Sequence, residues 1–135
     1  MQNLRWIERF ENYQKAKENL TAAQEFVKKN GITNIAIMAL VQAFEIAFEL
    51  AWKTQKDYLE YNGIKVTTPR ETIKESFQNN IIQDGQIWID MMESRNKTSH
   101  TYNVDFANQL AKDILEKYIP QFENLHTFFK GKING

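Results

Sequence analysis

Cysteine is absent from the 135 residues, which excludes disulfides and thiolate metal sites. Net charge is absent too, with Lys plus Arg and Asp plus Glu at 17 each. No global basic field would draw this chain onto nucleic acid, so any such contact must come from a local patch. Only five glycines and two prolines punctuate the sequence, and most fall between helical patterns. No stretch alternates apolar and polar residues strictly enough to predict a strand. No apolar run is expected to reach the roughly 18 residues of a membrane span, because the most apolar stretch, Ile35 to Trp52, carries Gln42, Glu45 and Glu49. The opening MQNLRWIERF has charges inside its apolar pattern and does not read as a signal peptide. The expectation is a cytoplasmic protein without a membrane partner. It should form a single domain over residues 1–130, with 131–135 a frayed, flexible tail.

Several catalytic signatures are missing as well. His100 and His126 lack metal-ligand spacing, and there is no HExxH, no EF-hand loop, no GxxxxGK, no GxGxxG and no Gly-x-Ser-x-Gly. No metal and no cofactor is expected. Neither a Gly-Ser dipeptide nor an Asp-x-Asp occurs, which argues against nucleotide transfer by this chain itself.

What is present is helical periodicity. Leu4, Ile7, Phe10, Tyr13, Ala16, Leu20, Ala23 and Val27 recur at three- and four-residue steps, predicting a helix from about Asn3 to Lys29 that Asn30-Gly31 ends. Thr33 or Asn34 can cap a second helix reaching Tyr61. Its first half is apolar on nearly every side, the mark of a central helix. Thr68-Pro69 opens a short third helix, and Asp84-Gly85 precedes a fourth through Trp88 and Met92. Asn103 can cap a last helix, which Pro120 should kink or break near Ile119. The predicted fold class is all-α, an up-and-down bundle of four to five helices.

The segment from Arg95 to Asn103 has almost no apolar residue and sits at a predicted helix boundary. On an ideal helix, positions five apart point about 140° away from each other. Arg95 and His100 therefore converge only if the helix ends or bends between them. Arginine carries a fixed charge that forks onto phosphate oxygens. Histidine accepts or gives a proton near neutrality. Together around one phosphodiester they could cut RNA without metal. The His would act as base on the ribose 2′-OH or as acid on the leaving oxygen, and the Arg would stabilise the charge building on phosphorus oxygens. DNA lacks that hydroxyl and should resist. The plain alternative is that both residues cap a helix end or pair with carboxylates.

Beside them, Asn96 could hold a phosphate, orient His100 or merely satisfy the helix end. Thr98 and Ser99 could donate to phosphate, with capping the simpler role. Glu45 and Glu49 lie one turn apart on the apolar second helix, where unpaired charge is costly. Ion pairing, with Lys53, Arg95 or a basic partner surface, is preferred over catalysis for them. Arg70 and Lys74 are read as solvent-exposed, and Trp6, Trp52 and Trp88 as core or interface anchors.

The run RNKTSHTY resembles the Arg-x4-His-x-Tyr motif of HEPN toxins at Arg95, His100 and Tyr102. The stretch FEIAFELAWK, Phe44 to Lys53, resembles the second-helix segment of nucleotidyltransferase substrate-binding proteins. The resemblance implies a bundle that forms a homodimer, joining two Arg-His motifs in one cleft. It also implies a cognate minimal nucleotidyltransferase as partner. Two roles follow from it. One is a metal-independent ribonuclease toxin with an RNA substrate, silenced when the transferase adds AMP to Tyr102. The other is a non-catalytic substrate-binding subunit.

Overall fold

Leu4 precedes the first helix, α1 (Arg5–Asn30), in a computed structural model that describes residues 4–135. The expected start at Asn3 lies outside the described residues. Trp6, Phe10, Tyr13, Ala16, Leu20 and Ala23 form its buried face, at the three- and four-residue spacing of the sequence. Gly31 ends α1 at φ 80°, a backbone conformation that a side chain would strain. Thr33 then caps α2 (Asn34–Tyr61), its side chain accepting from the Ala36 N–H.

The next three α-helices each begin on a cap that the sequence supplies. Thr68 and Glu71 form a reciprocal capping box for α3 (Pro69–Gln78). The hydroxyl of Thr67 and the backbone N–H groups of Thr67 and Thr68 hold the Glu71 carboxyl below its ordinary range. Asp84 caps α4 (Gly85–Asn96) through the Ile87 N–H. After a 3-10 turn at Thr98–His100, Asn103 caps α5 (Val104–Asp113) through the Phe106 N–H.

Pro120 does not break the last helix. A π turn, Ile114–Tyr118, leads directly into α6 (Ile119–Asn134). There the Ile119 N–H bonds the Ile114 carbonyl five residues back. This wider turn takes up the clash and the missing donor that proline brings to a helix interior. Residues 131–134, expected as a frayed tail, continue α6. Lys132 lies over the Phe128 ring one turn earlier, at 5.2 Å from its centroid.

The five rods among the described residues (α1, α2, α3, α4 and the continuous α5–α6) make an all-α bundle. Side-chain partners fix its directions. Arg9 pairs with the buried Asp57 at 3.1 Å, so α1 and α2 run antiparallel. Trp6 packs against Phe129, and Tyr13, two turns further along α1, donates to the Phe122 carbonyl at 2.7 Å, so α6 also opposes α1. Phe44, Phe48, Trp88, Tyr118 and Phe122 stack through the middle, joining α2, α4 and the last rod.

By length and composition α2 does meet the requirement for a membrane span, contrary to the sequence expectation. Two carboxylates in the run are too few to disqualify it. Its buried residues, from Ala36 to Leu59, run the length of the helix, as in the core helix of a bundle.

His126 packs on the Phe10 ring and meets Gln14 at 3.0 Å. Burial, and then the neighbouring Lys17, push its imidazole below the usual value. The unfolded chain therefore takes up this proton first as pH falls through about 6.5. Stability from the neutral ring is present above that pH and is lost as pH drops toward the folded-state value. The urea midpoint should fall between pH 7.5 and 5.5 by more in the wild type than in His126→Gln. Equal falls would remove this group from the pH response.

Candidate functional site

Helix α4 ends inside the polar segment. Arg95 occupies the last turn of α4, which stops at Asn96, and His100 closes the 3-10 turn that follows. Two contacts hold this corner. One residue before Arg95, Ser94 shares a hydrogen bond of 2.8 Å with the Tyr118 hydroxyl. Tyr118 comes from the π turn, and burial raises its pKa. Three residues after Arg95, the buried Thr98 hydroxyl lies 2.8 Å from Glu45 Oε2, to which it donates, and 3.0 Å from the Arg95 carbonyl.

Glu45 thus joins α2 to the corner. Arg95 Nη1 lies 3.7 Å from the same Glu45 oxygen. That is an ion pair rather than a well-formed hydrogen bond. Both side chains keep about a third of their surface exposed, 36% for Arg95 and 31% for Glu45. Such a pair is worth about 0–1 kcal/mol. A phosphate offering two charge-assisted hydrogen bonds would outcompete it. Arg95 Nε is buried without a hydrogen-bond partner among the described residues.

His100 and Tyr102 form a second pair on the outer side of the segment. Both are exposed, Tyr102 at 81%, and their rings meet edge to face at 6.1 Å. Among the described residues, no hydrogen bond or ion pair links Arg95 to His100; Arg95 turns to Glu45 and His100 to Tyr102. Asn96 and Ser99 are exposed on the same segment. Arg70 and Lys74 are exposed on α3.

Glu49 does not join the corner. Both of its oxygens accept from the Trp52 indole N–H at 3.3 Å, so the partner is neither Lys53 nor Arg95. One turn along α2 is enough to send the two carboxylates to different neighbours. The residues that sequence reasoning undervalues are Thr98 and Ser94. Thr98 reads as a cap in the sequence, yet it is the link between Arg95 and Glu45, a contact 53 positions apart in the chain. No local pattern announces it. Among the described residues, no group of three or more His, Asp or Glu is placed to hold a metal ion.

The protein family described as nucleotidyltransferase substrate binding protein like matches residues 8–131. The chain belongs to that family. Glu45, Arg95, His100 and Tyr102 all fall inside the matched span. No curated protein matches at a significant level. Among solved structures, one from Thermus thermophilus superimposes with a TM-score of 0.70 at 24% identity, over 89% of this chain and 99% of that one. A tri-AMPylated Shewanella oneidensis HEPN toxin, solved in complex with its MNT antitoxin, gives a TM-score of 0.71 at 13% identity. That match spans 97% of this chain and 99% of the other. At such identities the likeness is one of fold, and this family member has the HEPN-type helical fold.

Proposed function

We propose that this family member is a HEPN-type endoribonuclease toxin acting without metal through Arg95 and His100. The observation that carries the reading is the corner itself. It carries a part-exposed guanidinium and an exposed imidazole on one polar segment, fastened from both sides by Tyr118 and Glu45. In this reading Arg95 leaves its loose pair with Glu45 to hold a phosphate. The ribose 2′-oxygen loses its proton and attacks phosphorus, and the 5′-oxygen leaves and gains a proton. His100 serves one of these transfers, and Arg95 stabilises the charge on the phosphorus oxygens. Asn96 and Ser99 stand beside them as exposed auxiliary donors. A homodimer would supply a second Arg-His pair to the same cleft.

Regulation follows from Tyr102, whose hydroxyl is open to a partner enzyme. A cognate minimal nucleotidyltransferase would transfer AMP from ATP to that oxygen, releasing pyrophosphate. The added phosphate would sit against His100 and compete with RNA by charge and bulk. The solved complex of a tri-AMPylated HEPN toxin with its antitoxin is the likeness that supports this partner. A cytoplasmic site of action belongs to the same proposal.

The test uses the purified chain in EDTA with a single-stranded RNA and the DNA of the same sequence. RNA should be cut and DNA left whole; cutting of both, or of neither, contradicts the reading. The loose Arg95–Glu45 pair also favours a second reading, a non-catalytic substrate-binding subunit, since a paired guanidinium is partly neutralised. That reading expects co-purification with the transferase and no cleavage above the His100→Ala background.

A further inference from the structure

A groove of about 480 Å³ opens between the first half of α2 and the start of α5. Ile37, Val41 and Ala107 lie buried in it, while Gln42 and Asn108 stand exposed along it. Glu45 and Thr98 line it as well, and they are the two residues that hold Arg95. Among the described residues, no lysine, arginine or aromatic side chain lines the groove. A phosphate would find no countercharge there and would meet the Glu45 carboxylate. The aliphatic floor suits a flat apolar face. The two amides offer paired donors and acceptors of the kind that read the edge of a base. Glu45 Oε2 is engaged by Thr98 and Arg95, while Oε1 accepts no hydrogen bond from any described residue. It is an acceptor suited to an amino N–H. The volume lies in the lower part of the ligand-pocket range, roughly 300–1,000 Å³.

We infer that this groove is a nucleobase site: it takes the base of the nucleotide adjoining the phosphate at Arg95, and prefers bases with an exocyclic amino group to uracil. The inference rests on the ribonuclease reading for its RNA substrate, but its test does not depend on cleavage. Because Glu45 touches both the groove and Arg95, seating a base would position the neighbouring phosphate at the guanidinium. The site would therefore select sequence, while the corner cuts.

The experiment titrates the full chain with each of the four nucleoside 5′-monophosphates, and with ribose 5-phosphate as the baseless control. The side-chain amide signals of Gln42 and Asn108 are followed by nitrogen-resolved NMR. AMP, CMP and GMP should shift both amides, UMP should bind more weakly, and ribose 5-phosphate should leave them unmoved. Gln42→Leu and Asn108→Leu change exposed side chains, and each should weaken the nucleotide affinity about tenfold. Glu45→Gln should erase the discrimination against UMP. Equal shifts with ribose 5-phosphate would overturn the assignment. So would no shift with any nucleotide, the outcome expected if a second copy of the chain covers the groove. RNA cleavage without nucleotide shifts would sink the base site alone, and nucleotide shifts without RNA cleavage would sink the ribonuclease reading alone.

Discussion

Replacing His100 by alanine is expected to lower RNA cleavage by about 10²–10⁴-fold, the usual contribution of a positioned acid or base. The fold should survive, because the imidazole is exposed and its one ring neighbour, Tyr102, is exposed too. Single-turnover rates with a fluorescent single-stranded RNA would measure the loss, and circular dichroism would confirm the helices. Arg95→Lys keeps the charge but loses the planar fork, so it should also be impaired, though less than Arg95→Ala. The Glu45→Gln variant discriminates further. Glutamine still accepts from Thr98 but releases the ion pair, so the corner should stay folded while Arg95 is freed toward phosphate. If His100→Ala cleaves at the wild-type rate, the imidazole has no part in the reaction.

The largest effect on stability should come from Phe122→Ala. This ring is fully buried, with the Tyr13, Phe44 and Trp88 rings at 6.3, 6.2 and 5.8 Å. It sits where α1, α2, α4 and α6 meet. Truncating such a side chain removes both its transfer energy and the packing around the cavity left behind, about 3–5 kcal/mol. That is a large share of the roughly 5–15 kcal/mol typical of a domain. Urea denaturation should show the midpoint collapsing. Phe122→Leu, which fills more of the space, should retain a measurable transition. Phe77, half exposed on α3, is the control, and Phe77→Ala should move stability by about 0.5 kcal/mol or less. Comparable losses from Phe77→Ala and Phe122→Ala would mean that the central aromatic stack is not the principal core.

Much of this fold is legible in the sequence because its signals are local. The spacing of Trp6, Phe10, Tyr13, Ala16 and Leu20 marks one helix face, and Thr33, Thr68, Asp84 and Asn103 each cap the helix that follows them. Of the kink or break expected near Ile119, the break does not occur: the regular α-helix gives way to a π turn at Ile114–Tyr118, which relieves the conflict that Pro120 brings. At the other end of α6 the helical backbone runs on through Gly131 to Asn134, a continuation that two glycines and a short polar tail do not signal.

The candidate site divides in the same way. Its helix boundary between Arg95 and His100 is visible in an uninterrupted polar run. Its fastenings are not. Thr98 to Glu45 and Ser94 to Tyr118 join residues 53 and 24 positions apart, and only the packed bundle brings them together. Glu45 and Glu49 look equivalent in sequence, yet one meets Arg95 and the other a tryptophan indole.

The most direct measurement is the chemistry of the cut ends. A defined RNA incubated with the protein in EDTA is analysed by mass spectrometry, beside the same RNA carrying one 2′-deoxy residue at the cut. Attack by the ribose hydroxyl predicts a 2′,3′-cyclic phosphate and a 5′-hydroxyl, with the deoxy RNA intact at that site. Fragments ending in 3′-hydroxyl and 5′-phosphate, or a deoxy RNA cut as fast as its parent, would contradict the account.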